Sequence, residues 1–386
     1  MRINEWFAFN YLFKKLLFLR YSVYGESKMR IEWYRQTILL LTLCFIIVPS
    51  LVSASVMDDA ISAISVAKIQ LVNAYELTLQ LEQTGGNITE LTLTLNEAGL
   101  LLSNAEHAYS IGDLDAAKNL AIQSQNLLEG FADKAGALKE EASQQAANDF
   151  WFKIIYPIFG SFAVIAVGFA VWYLLKRKYD ASGVIENDLK NYRIVFIVVI
   201  LLAALFVASP AIQKVLVYPS VQSASFSELW LLGPEKKAEN YTSSISRNEN
   251  YTVYLGVANQ LGSCAYYRVD VKLCNATQQP PSSFNRTAST QPSLYSMNLI
   301  VPDKGNLEMP LSFSFNYTFD EMLYQINFVD LTLNGLPLNL EGYTVAWTPQ
   351  GAFSVDLIFE LWIYNSATNV FDYHERYVGL HINIGE

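Results

Sequence analysis

Three histidines, three cysteines and six N-x-S/T triplets are the residues of this 386-residue chain whose types and spacing could do chemistry. His374 and His381 lie seven positions apart and differ in strand parity, with Asp372, Glu375 and Arg376 nearby, whereas a zinc site needs two ligands on one face and a third at close range. They read as exposed turn residues, and His107 as a surface histidine of a helix. Carboxylates such as Asp320 and Glu321 have no basic or nucleophilic partner implied. There is no G-x-S-x-G, phosphate-binding loop or H-E-x-x-H, so nothing specifies a catalytic, cofactor-binding or metal site, and no cofactor is implied. The triplets at Asn87, Asn240, Asn250, Asn275, Asn285 and Asn316 have the spacing of N-glycosylation acceptors. Cys44 sits in an apolar run. That leaves Cys264 and Cys274 as the disulfide candidates, yet ten steps of straight strand would hold their Cα atoms roughly 33 Å apart, against about 5 to 6 Å in a disulfide. The pairing stays open beside free or intermolecular thiols.

The elements that carry these residues follow from hydropathy and charge. Residues are 52% hydrophobic and 16% charged, with a net charge of −10, and no basic face exists that would hold nucleic acid. Residues 1–28 read as an upstream-start extension. From Met29 to Ala54 the chain has a basic start (Arg30, Arg35), an apolar centre and the small-residue site Val52-Ser53-Ala54: a signal peptide, or a signal anchor if uncut. Residues 55–148 read as an extracellular bundle of three helices with heptad-like spacing. The first carries Ile61, Ile64, Ala67, Leu71, Ala74, Leu77 and Leu81; the second Ile88, Leu91, Leu95, Ala98, Leu102 and Ala105; the third runs from Ala117 through Phe131 to Ala142. Asn87 with Glu90 has capping-box spacing, and Asp113 can cap the third helix.

Two charge-free stretches, Ile154 to Leu175 and Ile194 to Ile212, match a hydrocarbon core about 30 Å thick. They read as transmembrane helices within 151–175 and 194–213. The loop 176–193 between them holds Lys176, Arg177, Lys178, Lys190 and Arg193, which assigns it to the cytoplasm and both flanks to the outside. Neither stretch contains an ionisable group, which disfavours pumps and proton-coupled transport. Residues 214–386 read as an extracellular Ig-like β-sandwich of about eight strands. Expected strands begin at Phe226, Tyr251, Tyr266, Ser296, Leu311, Leu323, Val355 and Tyr377, and Gln278 to Gln291 is a long loop. In the third strand Arg268, Asp270 and Lys272 alternate with Tyr267, Val269, Val271 and Leu273, which predicts one solvated and one packed face. Trp347 reads as core, with a glycan platform as the alternative.

The stretch from Ser227 to Leu273, with Leu231-Leu-Gly-Pro-x-x-x-Ala-x-x-Tyr241 as its most specific element, and the final Phe359-Glu-Leu-Trp-Ile-Tyr-Asn and Tyr373 to Ile384 segments resemble the domain of unknown function 1616 family. The likeness covers residues from about 150 to 386 and departs around Leu323 to Gly351. It implies a mostly archaeal membrane protein in which helices precede an outer sandwich-like domain, and it implies no activity and no functional residues. The expectation is a multi-pass envelope protein in the lipid bilayer, non-catalytic, binding a surface protein or glycan. An accessory subunit or weak enzyme of surface glycan or glycoprotein assembly is the alternative.

Overall fold

The computed structural model describes residues 28–182, 194, 196–209, 225–348 and 351–385, with side chains described from Val56 onward. The expected extension 1–28 lies outside the described residues except for Lys28, as do Lys190 and Arg193 of the loop and the end of the second apolar stretch. The chain divides into two compact units, residues 1–59 and 60–386. Of the first, the segment from Lys28 is helix and belongs to α1 (Lys28–Gln83).

In the second unit α1 continues to Gln83, followed by α2 (Thr89–Ser110), α3 (Leu114–Leu127) and α4 (Phe131–Phe150). Ala60, Ile64, Ala67, Leu71 and Ala74 form the buried stripe of α1, and Leu91, Leu95, Ala98, Leu102 and Ala105 that of α2, as their three- and four-residue steps require. Ile61 is the exception and is exposed. Asp113 caps α3, its carboxylate accepting from the Ala116 amide at 3.0 Å. Two expectations are corrected. The third helix is two: the chain turns at 128–130, where Gly130 adopts φ 72°, a conformation open to a residue without Cβ. The capping box does not form either. Ile88 occupies the cap of α2, Asn87 accepts from Thr89 N instead, and Glu90 pairs with Lys134.

A one-turn π-helix (Trp151–Ile155) carries α4 without a break into α5 (Tyr156–Ser182). This helix is long and apolar enough to cross a membrane. A shorter apolar helix, α6 (Phe196–Ser209), lies against it: Gly160 faces Val207, Gly168 faces Ile200, and Ser161 Oγ donates to Ala204 O at 3.1 Å. Small residues let the two backbones approach.

Among the described residues eleven strands follow in two sheets. The first has the order β1-β3-β6-β7-β8, with β9 also on β7, from β1 (Phe226–Leu232), β3 (Tyr251–Gln260), β6 (Asn306–Asp320), β7 (Gln325–Leu333), β8 (Leu336–Asn339) and β9 (Thr344–Ala346). The second has the order β2-β11-β10-β4-β5, from β2 (Ser244–Ile245), β4 (Ala265–Asn275), β5 (Tyr295–Val301), β10 (Phe353–Asn365) and β11 (Val370–Ile384). Val257, Phe313 and Phe315 of one sheet and Val269, Val271 and Phe359 of the other share a single core between them.

The bundle and the sandwich are not separate bodies. Cys264, just before β4, and Tyr266 and Ile300 of the second sheet are buried in the core of the helices. Helix α2 lies along the edge strand β5, where Asn96 donates to Ile300 O at 2.9 Å and accepts from Ile300 N at 2.7 Å. Two turns on, Ser103 Oγ accepts from Asn298 N at 3.0 Å. An edge strand's free amides and carbonyls, which would otherwise recruit another strand, are thus satisfied by helix side chains. Gly99, between them, is close enough that a Cβ would lie 3.0 Å from Asn298 O.

Candidate functional site

The alternation read in β4 is present, but its charged face is not solvated. Asp270, Lys272 and, on the neighbouring β10, Glu360 are all buried. Helices cover one end of this outer face, and the segment from Ala276 to Leu294 covers the other. Asp270 and Glu360 are register partners, two carboxylates side by side. Each has its own cation: Arg268 Nε lies 2.9 Å from Asp270, and Lys272 Nζ lies 2.8 Å from Glu360, with side-chain exposures of 6% and 0% for the second pair. The covering segment is tied to that pair through one residue, since Ser289 N donates to Glu360 at 2.7 Å and Ser289 O accepts from Lys272 at 3.1 Å. Ser296 Oγ donates to Asp270 at 2.7 Å. Beside the cluster Trp362 Nε1, Tyr373 OH and Ser289 Oγ are buried without a hydrogen-bond partner among the described residues. At the rim a cleft of about 460 Å³ opens between Tyr377 and the covering residues Pro280 to Asn285.

His107 and His374 depart from their expected settings. Strand β11 begins at Val370, earlier than expected, so His374 is not in a turn. A bulge opposite Leu361 and Trp362 leaves His374 and Glu375 without register partners, and Glu375 takes φ 58°. His374 Nε2 then lies 2.8 Å from Ser227 Oγ, which lies 2.6 Å from Tyr267 OH. A serine oxygen beside an imidazole could be a nucleophile with its base. Ser227 is buried and Tyr267 fully so, and the chain of hydrogen bonds serves to join β1 of one sheet to β4 and β11 of the other. Burial lowers the His374 pKa, as does Arg376, while Glu375 opposes the shift; burial pushes the Tyr267 phenol up to about 12. His107 is buried, not superficial: Nε2 donates to Pro337 O at 3.0 Å, leaving Nδ1 unprotonated and without a partner among the described residues. Burial, the dominant cause, lowers its pKa against the opposing pull of the Pro337 carbonyl. His381 is exposed on β11 and pairs with Asp356 at 2.7 Å.

Cys264 and Cys274 are both buried and free at the two ends of β4. Burial raises both thiols, with Glu82 adding to the shift at Cys264; Cys274 reaches about 11, with Asp356 and Glu360 adding to it. Neither is a reactive thiolate. Of the glycosylation candidates, Asn87, Asn240, Asn250 and Asn285 are exposed, the last at the cleft. Asn275 and Asn316 are half-buried, and the Asn316 amide donates to Asp330 at 3.0 Å while its oxygen accepts from Arg247.

The feature the sequence reading missed is the tip joining β6 and β7. Met322 is 95% and Leu323 67% exposed, beside exposed Phe319 and Tyr324. Trp347, expected in the core, is 45% exposed because Phe353 takes the buried place beneath it, the two rings 4.9 Å apart and edge-on. Tyr324 packs on both, at 5.4 Å from Trp347 and 5.7 Å from Phe353. Asp320 Oδ1 accepts from the Met322 and Leu323 amides, fixing the turn, and Tyr324 holds φ 50°. The strand expected from Leu323 starts at Gln325 instead, and Leu323 belongs to the uncovered turn.

The tip lies at the end of the sandwich opposite to the β3–β4 loop. Helix α4 passes the α1–α2 turn, Lys134 pairing with Glu90 and Lys139 bonding Gln80, and beyond Ala142 it is largely exposed as it runs toward α5. At that same turn Glu82 accepts from Cys264 N and Asp303 N, which marks the β3–β4 end of the sandwich. The chain re-enters there too, since Phe226 is the partner of Gln260. The opposite end of β3, Tyr251, pairs with Phe313, and β6 runs on from there to Asp320, roughly 20 Å further.

Residues 220–325 match the family model described as Domain of unknown function (DUF1616). No curated protein matches the chain. Among solved structures, a β-glucosidase from Listeria innocua in complex with glucose is similar at 10% identity and a TM-score of 0.21, over 42% of this chain and 16% of the enzyme. The CARDB domain of a Pyrococcus furiosus protein in complex with di-metal ions is similar at 9% identity and a TM-score of 0.20, over 44% of this chain and 98% of that domain. The chain thus spans about a sixth of the glucosidase, and at these scores neither likeness carries an argument.

Proposed function

From the premise that the sandwich carries a DUF1616 match, we propose that this chain is a multi-pass envelope protein whose outward body of bundle and sandwich binds a surface protein or glycan and is not itself a catalyst. The observation that carries the reading is the shared packing of bundle and sandwich. The two lie on either side of α5 and α6 in sequence, so the intervening chain must cross a bilayer an even number of times to return to the same side. Two apolar helices packed as a hairpin satisfy that count. Lys176, Arg177 and Lys178 at the end of α5 favour the inner side for the turn, and the signal-like segment 29–54 favours the outer side for the body.

The test is accessibility in intact cells. With Cys44 replaced by Ala, Asn250→Cys should react with an impermeant maleimide before lysis and Lys178→Cys only after it. The reverse pattern would sink the reading.

A further inference from the structure

Resting on that reading, we infer that Asn285 carries an N-linked sugar chain whose first rings lie in the cleft against Tyr377, so that the protein's own glycan pins the covering segment over the buried ion pair. The acceptor triplet Asn285-Arg286-Thr287 stands in a well-defined turn. Ser282 and Thr287 exchange backbone hydrogen bonds at 2.9 and 3.1 Å, Asn285 N donates to Ser282 Oγ at 3.1 Å, and Arg286 takes φ 56°. Arg286 Nε lies 3.4 Å from Glu375 Oε2, which sets the turn against β11 near Tyr377. A substituent on the exposed Asn285 side chain therefore emerges at the cleft that this residue itself lines.

The lining sets the chemistry of the occupant. It includes no charged residue, it offers the Tyr377 ring, 36% exposed, as a flat apolar platform, and its Gln279 amide and Ser283 hydroxyl have no hydrogen-bond partner among the described residues. Neutral polar groups beside an aromatic face suit a neutral, hydroxyl-rich ring and give nothing to an ion. The volume of about 460 Å³ falls within the range of small-ligand sites, roughly 300–1,000 Å³. A free sugar would hold weakly to one ring and a few polar groups, whereas a tethered one meets them at an effective concentration on the order of millimolar. The tether thus decides the occupant. The buried pair lies directly beneath: Tyr377 is the register partner of Glu360, and shortly after Asn285 the chain donates the Ser289 amide to that carboxylate.

The experiment uses the full chain purified from its own membrane. Glycopeptide mass spectrometry should find Asn285 substituted, and hydrogen exchange should find the Ser289 amide protected. Asn285→Gln and, separately, Thr287→Ala, which destroys the acceptor triplet but keeps Asn285, should each speed that exchange roughly fivefold, the scale of one aromatic contact. Tyr377→Ala should do the same with the sugar still attached, and should add nothing in the Asn285→Gln background. Additive effects of the two changes, or exchange indifferent to loss of the sugar, would overturn the inference. So would a bare Asn285 in chains whose Asn240 or Asn250 carries a sugar, a result that leaves the outward body standing. Failure of the outward body reads differently and rejects both levels: every acceptor asparagine is bare, and Asn250→Cys labels only after lysis.

Discussion

Replacing Lys272 by methionine removes the ammonium 2.8 Å from Glu360 and nothing else of comparable size, because the methionine stem refills the space under Trp362. Glu360 is fully buried, with Asp270 as its register partner, so it then faces a second carboxylate without its own cation. Breaking such a pair costs about 3–5 kcal/mol. For a body of this size each kcal/mol moves the melting midpoint by about 2–4 °C, so Lys272→Met should lower it by roughly 6–20 °C. The same substitution removes the donor to Ser289 O and so releases the covering segment. Limited proteolysis of the purified full chain should therefore cut between Ala276 and Leu294 well below the melting midpoint. The double change Lys272→Met with Glu360→Leu should recover most of the midpoint, since a well-packed apolar pair can match a buried ion pair. It should not restore protection of the loop, which loses the carboxylate acceptor for Ser289 N as well. A single Lys272→Met that costs under about 1 kcal/mol would refute the reasoning, for it would mean that the face is wet and the pair screened.

The helix seal on β5 makes Asn96→Ala costly by about 2–3 kcal/mol, measured by denaturant titration, because the Ile300 amide and carbonyl both lose their partner. Gly99→Val should cost about 1–3 kcal/mol by forcing α2 off Asn298, despite any gain in helix propensity, and the matching Gly136→Ala, where a Cβ meets open space, should be neutral or stabilising. Acid should loosen the body: the folded state holds His107 and His374 below the ordinary histidine value, the unfolded chain therefore binds more protons, and the stability present above about pH 6.5 is lost as pH falls below it. His107→Gln, which can still donate to Pro337 O, should flatten that slope in melting curves taken from about pH 7.5 to 5, and an unchanged slope would exclude His107 as a contributor. Glycopeptide mass spectrometry should find glycans among Asn87, Asn240, Asn250 and Asn285 and none at Asn316, whose amide is held by Asp330.

Periodicity located the buried stripes of α1 and α2 and the long strands from Phe226 onward, but not the short β2, β8 and β9, and an uncharged apolar run located α5, because such patterns are local properties of the chain. The resemblance to the DUF1616 family was legible in its own residues from Leu231 to Tyr241 and returns in the match over 220–325. What covers each face is a different matter. Arg268, Asp270 and Lys272 alternate as a solvated face would, and only tertiary packing, by α2 at one end and Ser289 at the other, buried Asp270 and Lys272 and half-buried Arg268. His374 was misplaced because a two-residue bulge in β11 has no local signature, and His107 because a helix does not announce which of its faces meets a sandwich 230 residues on. Trp347 and the Met322 tip were left exposed by the same rule in reverse. Local pattern decides which side chains share a face, but burial depends on whatever chain comes to lie on that face, and here that chain arrives from beyond two apolar helices.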